Sequence, residues 1–105
     1  MTDDEFRTLA MAQPEAVESS HVGHADFRAE GKIFAGFPKP GIGSLKLTPE
    51  EQEAAMAISP AFFPAAGAWG GQGWTKVELS TVDAGLLAAM MVKARANVTQ
   101  KRIAE

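Results

Sequence analysis

The spacing of apolar residues changes from helical to alternating and back along the chain, and these changes divide it into elements. Phe6, Leu9 and Ala10 follow Thr2 and Glu5, the Ser/Thr-x-x-Glu pattern of a capping box, so a helix starts at the N-terminus. Thr48, Pro49 and Glu51 repeat the signal more fully, with proline in the first turn, where its missing N–H is no loss. A third helix starts at Asp83, where Val82 can staple onto Leu87. Its stripe of Leu86, Leu87, Met90, Met91, Ala94 and Val98 faces a core and is no cofactor box. Segments 18–22, 26–30, 32–37 and 42–47 alternate or are rich in β-formers, with glycines and prolines between them, and 75–79 reads as a further strand. Gly41-Ile42-Gly43 reads as a hairpin turn. The order α-β-β-β-β-α-β-α predicts an α+β two-layer domain, an antiparallel sheet of about five strands with three helices on one face. Without repeats, low-complexity tracts or an internal linker, residues 1–105 form a single domain.

The period of two then divides the strand side chains between faces. In an unbulged register Phe27, Ala29, Ile33, Ala35, Phe37, Leu45, Leu47, Val77 and Leu79 meet the helices. The opposite face carries Asp26, Arg28, Glu30, Lys32, Phe34, Ser44, Lys46, Lys76 and Glu78, a weakly basic set. Arg28, Lys32, Lys46 and Lys76 suit contacts with phosphates, and Phe34 or a tryptophan offers a stacking surface of the kind single-stranded binders use. The alternative is an ordinary solvated face with cross-strand ion pairs.

Composition narrows the classes. The chain has 105 residues, 46% hydrophobic and 22% charged, enough for one domain with a modest core. With no cysteine it has no disulfide, thiolate metal site or cysteine nucleophile. Its acidic N-terminus lacks the pattern of a signal peptide, and no apolar run nears the roughly 20 residues of a membrane span, so a cytoplasmic location is expected. The formal net charge of −3 argues against a generic polyanion binder. The charge is uneven, because residues 31–48 hold Lys32, Lys39 and Lys46 and no acid.

Both tryptophans of the chain fall in one glycine-rich stretch, P-A-A-G-A-W-G-G-Q-G-W over residues 64–74. Either Trp69 and Trp74 pack over the sheet edge with their indole N–H groups met by loop carbonyls, or a ring stands exposed in a groove. In the second case they form a docking surface for a protein or small ligand together with His21, His24 and Lys76. His21, His24 and Asp26 spell H-x-x-H-x-D, yet residues three apart in a strand point to opposite faces unless a turn at Gly23 intervenes. With no further histidine, no metal site is expected. The chain has no G-x-S-x-G elbow, P-loop or dinucleotide fingerprint, and Glu50, Glu51 and Glu53 lie in a helix first turn, where they offset the dipole. No catalytic residue, enzyme activity or cofactor is expected.

Five ordered blocks carry a resemblance: His21-Val-Gly-His-Ala-Asp-Phe-Arg28, Gly31-Lys-Ile-Phe-Ala35, Leu45-Lys-Leu-Thr-Pro-Glu-Glu-Gln52, Trp69-Gly-Gly-Gln-Gly-Trp-Thr75 and Val82-Asp83. In these the chain resembles the MmcQ/YjbR family of small bacterial proteins over nearly its whole length. The resemblance implies a fold similar to CyaY-like or secretion-chaperone-like two-layer domains. It also implies the DNA-binding label the family commonly carries, which rests on analogy of fold and surface. Similar members usually have phenylalanine and proline where Val22 and Ala25 stand, and often arginine near Gly71. The missing arginine removes the side chain best suited to bidentate phosphate contact from beside the two aromatics. Lys101 and Arg102 match the family's basic ending. Two readings follow: weak, salt-sensitive DNA binding through Arg28, Lys32, Lys46 and Lys76, or docking of a protein or small ligand at the Trp69–Trp74 loop.

Overall fold

Helix α1 (Asp3–Met11) leads into a meander of β1 (Val17–His21), β2 (His24–Ala29), β3 (Lys32–Lys39) and β4 (Ile42–Lys46). Then come α2 (Pro49–Ile58), β5 (Phe62–Pro64), α3 (Ala68–Gly71), β6 (Trp74–Glu78) and α4 (Ala84–Thr99). The computed structural model describes residues 1–21 and 23–99, for His21 the backbone alone, and Lys101 and Arg102 lie outside them. No helix among the described residues is long and apolar enough to cross a membrane.

The helix starts form as their sequence signals predict. Glu5 N–H donates to Thr2 Oγ1 at 3.1 Å and Thr2 N–H to Glu5 Oε1 at 2.8 Å. Thr48 and Glu51 make the same reciprocal pair at 3.1 and 2.9 Å, and Leu86 N–H donates to Asp83 Oδ2 at 2.9 Å. Each closes orphan donors of a first turn.

The strands form one antiparallel sheet in the order β1-β2-β3-β4-β6-β5. It has one more strand than the sequence indicates, because β5 spans only three residues. One more helix is present too, the single turn α3. The β3–β4 turn is Pro40-Gly41, with Lys39 opposite Ile42, so Gly43 lies inside β4 and not in the turn. Gly43 serves close approach instead, since a Cβ there would stand 2.6 Å from the Phe6 ring. Phe6 is the pivot of the core, 6.3 Å from Phe27 and 5.0 Å from Phe37 between ring centroids. Leu45, Leu47, Val77 and Leu79 from the sheet and Leu87 and Met91 from α4 complete it.

The register corrects the face assignment in β3. Phe27 pairs with Ala35 but Arg28 with Ile33, so Phe34 is the extra residue of a bulge. Phe34 is fully buried in the core. Ile33 replaces it opposite Arg28 on the other face, and Lys32, opposite buried Ala29, falls on the helix side. The gain from burying a phenylalanine side chain, about 2 kcal/mol, favours this local break in the ladder. Glu30 sits in the β2–β3 turn rather than on either face.

Candidate functional site on the open sheet face

Helices α1, α2 and α4 contribute to the core on one face of the sheet, and the other face is laid out by the strand register. One row runs across five strands, with Asp26 opposite Gly36, Gly36 opposite Ser44, Ser44 opposite Lys76, and Lys76 opposite Phe63. In the next row Lys46 stands opposite Trp74. Directly opposed residues share a face, so Trp74, Lys46, Lys76, Ser44 and Phe63 are neighbours.

The tryptophan loop is locked over the end of this face by its backbone. Gly73 has φ 104°, and a Cβ there would collide with the Leu47 carbonyl, whose residue donates its own N–H to Gly73 O at 3.2 Å. Only glycine fits such an approach. From α2, buried Gln52 points Nε2 at Gly70 O, Trp74 O and Thr75 Oγ1, at 3.2, 3.1 and 3.1 Å. The Thr75 hydroxyl donates to Gly73 O at 2.8 Å, and Ala65 N–H to Trp74 O at 2.9 Å. Sequence reasoning missed Gln52. Its signal is a polar residue three before Ala55 on the inward stripe of α2, both buried.

As a result both indoles line one cavity of about 470 Å³ with Pro38, Ser44, Ala65, Ala66 and Lys76. Trp69 is 62% exposed and Trp74 half-buried. A smaller depression of about 200 Å³ shares Pro38, Ser44 and Trp74 with it and runs on to His24 and Asp26, so the two form one groove.

The cations are not equivalent. Arg28 Nε and Nη2 donate to the two oxygens of nearly buried Asp26 at 2.9 and 3.2 Å. The hydrogen bond to that carboxylate raises the guanidinium pKa further, and the pair's charges cancel locally. Lys46 Nζ donates to Gln72 O at 2.9 Å and lies 5.8 Å from the centroid of the Trp74 ring. Lys76 has no carboxylate within ion-pair distance among the described residues. Lys32 lines another depression with Thr48 and Asn97, one that Lys46 also borders. The structure thus brings together Trp69, Trp74, Lys46 and Lys76, sets Arg28 and His24 farther along the face, and removes Lys32 from it. His24 is exposed and is the register partner of His21, and Gly23 before it has φ 79°. Among the described residues no group of three or more metal-ligating side chains converges.

Comparison with known proteins gives a family and a fold. The family model described as YjbR matches residues 11–96. The chain is similar to a Deinococcus radiodurans protein with a DUF419 domain, at a TM-score of 0.80 and 24% identity, over 96% of this chain and 80% of that one. It is also similar to a Pseudomonas syringae protein, at a TM-score of 0.68 and 17% identity, over 90% of this chain and 96% of that one. At these identities the likeness is one of fold. No curated protein matches the chain.

Proposed function

The chain belongs to the YjbR family, and from that premise we propose that it is a binding module rather than an enzyme, with the tryptophan groove as its docking site. The observation that carries this reading is an indole 62% exposed on a loop fixed by Gln52, Thr75 and two close-packed glycines. A large aromatic held rigidly in solvent beside a concave surface is the usual form of a binding hot spot. The chain has two tryptophans, so its ¹H–¹⁵N spectrum carries two indole Nε1–H peaks that report directly on the groove. A screen of aromatic fragments and short peptides should find binders that shift both peaks, depend weakly on salt and are lost in Trp69→Ala. Binders that leave both peaks in place would place docking elsewhere.

DNA binding on the same face is the second reading, supported by Lys46 and Lys76 flanking Trp74 in the register. Cations beside an aromatic ring are what single-stranded binders present. The neutralised Arg28, the displaced Lys32, the buried Phe34 and the net charge of −3 weigh against it. Fluorescence anisotropy of labelled single- and double-stranded DNA separates the two. This reading expects binding that falls steeply with salt and weakens in Lys46→Glu. No binding at low salt and micromolar protein would remove it.

A further inference from the structure

Both indoles line a cavity of about 470 Å³, and the aromatic pairs formed among the described residues involve phenylalanines only. Neither indole is therefore stacked on another aromatic ring of the described residues, and both are open to a ligand in this slot. The slot's other walls are Pro38, Ser44, Ala65 and Ala66, small enough to admit a flat group, and no carboxylate lines it. In the adjoining depression the one acid, Asp26, is 4% exposed and has both oxygens taken by Arg28. Lys76 lies at the slot without an acid partner among the described residues, and Lys46 backs the Trp74 ring. The cavity lining therefore carries one cation and no acid, with Glu78 in the adjacent row of β6, in a chain whose formal net charge is −3.

We infer that the groove takes a small planar aromatic anion, its ring between Trp69 and Trp74 and its negative group at Lys76. This rests on the docking reading above and adds the chemistry of the ligand. A flat ring gains offset stacking and dispersion against two indoles. An anion gains a charge-assisted hydrogen bond from an ammonium that no internal carboxylate claims. A purely apolar ligand would leave Lys76 partly desolvated and unpaired, and a non-planar anion would forfeit the stacking.

Three probes of matched size separate these contributions: 2-naphthoate, its uncharged amide and decahydro-2-naphthoate. Each is titrated against the ¹⁵N-labelled full chain and read on the two indole peaks. Naphthoate is expected to shift both peaks and to bind at least about tenfold more tightly than its amide, the size of one hydrogen bond to a charged group, and more tightly than the non-planar anion. Lys76→Gln should erase the preference for naphthoate over the amide and leave amide binding unchanged. Trp69→Ala, at an exposed position that does not threaten folding, should weaken both naphthalene ligands. If the amide binds as well as naphthoate and both are lost in Trp69→Ala, the anion assignment is wrong and the docking groove stands. Equal binding of decahydro-2-naphthoate overturns the ring assignment. If no probe shifts either indole at millimolar concentration, both the inference and the docking reading fall. A labelled single-stranded oligonucleotide that binds more tightly than naphthoate, with steep salt dependence, overturns the small-molecule class in favour of nucleic acid.

Discussion

Gly71 and Gly73 stand two residues apart in one loop and are constrained in opposite ways. At Gly73 the backbone has φ 104°, and an added Cβ would strike the Leu47 carbonyl, a backbone group that cannot move aside without breaking the end of β4. Gly73→Ala is expected to lower stability by about 2–4 kcal/mol, combining a strained dihedral with an overpacked contact. Chemical denaturation followed by tryptophan fluorescence measures this directly, because Trp74 is the next residue. At Gly71 the same added atom meets open space, and the backbone there is not in the left-handed region. Gly71→Arg should leave stability within about 0.5 kcal/mol of the parent. It should also tighten 2-naphthoate severalfold by adding a second cation beside the slot, an effect visible in the same indole titration. A stability loss above 1 kcal/mol at position 71, or none at position 73, would show that the loop sits differently on β4.

Gln52 links two elements, because it belongs to α2 and holds the carbonyls that shape the loop before β6. Gln52→Leu keeps the side-chain volume and leaves Gly70 O and Thr75 Oγ1 without their buried donor, at an expected cost of about 1–3 kcal/mol. Both indole Nε1–H peaks should broaden or move while the α2 N-terminus, capped by Thr48 and Glu51, keeps its amide shifts. What sequence makes legible at this scale is what local chemistry decides. Capping boxes and Asp83 mark the helix starts because a side chain and a backbone donor three residues away suffice to form them. The alternation in β4 and β6 assigns faces correctly because the Ile42–Lys46 and Trp74–Glu78 pairing is unbroken. The same period places Trp74 beside Lys76 once the strand is extended by one residue. The β3 bulge is not legible, since the alternation through Ile33, Phe34 and Ala35 permits either phase and only the core's demand for Phe34 decides. Nor are β5 and α3, each too short to complete two periods of the pattern that would reveal it. Trp69 takes its place from α3 and from the turn at Gly67, with φ 65°, so its exposure is a consequence of tertiary structure.

Across the whole molecule, charge is sorted by layer. Among the described residues, the arginines away from the open face are tied to acids, Arg7 to Asp4 and Glu18, and Arg95 to Glu15. On the open face Arg28 is likewise tied to Asp26, which leaves Lys46 and Lys76 as the cations there without an acid partner among the described residues. The four-cation patch expected from alternation thus reduces to two, or three if phosphate displaces Asp26 from Arg28. Counterion release converts that count into a measurable slope, about −0.7 per neutralised phosphate for a single strand. Any binding of single-stranded DNA by this face should therefore show a log–log salt slope between about −1.4 and −2.1, against about −2.8 for the full quartet. Anisotropy titrations at several salt concentrations give the slope, and Lys76→Gln should make it shallower by about 0.7. Lys32→Gln should leave it unchanged, because the bulge has turned that lysine to the helix side. A slope steeper than about −3, or one that responds to Lys32 as it does to Lys76, would mean that phosphates track a path other than the open face.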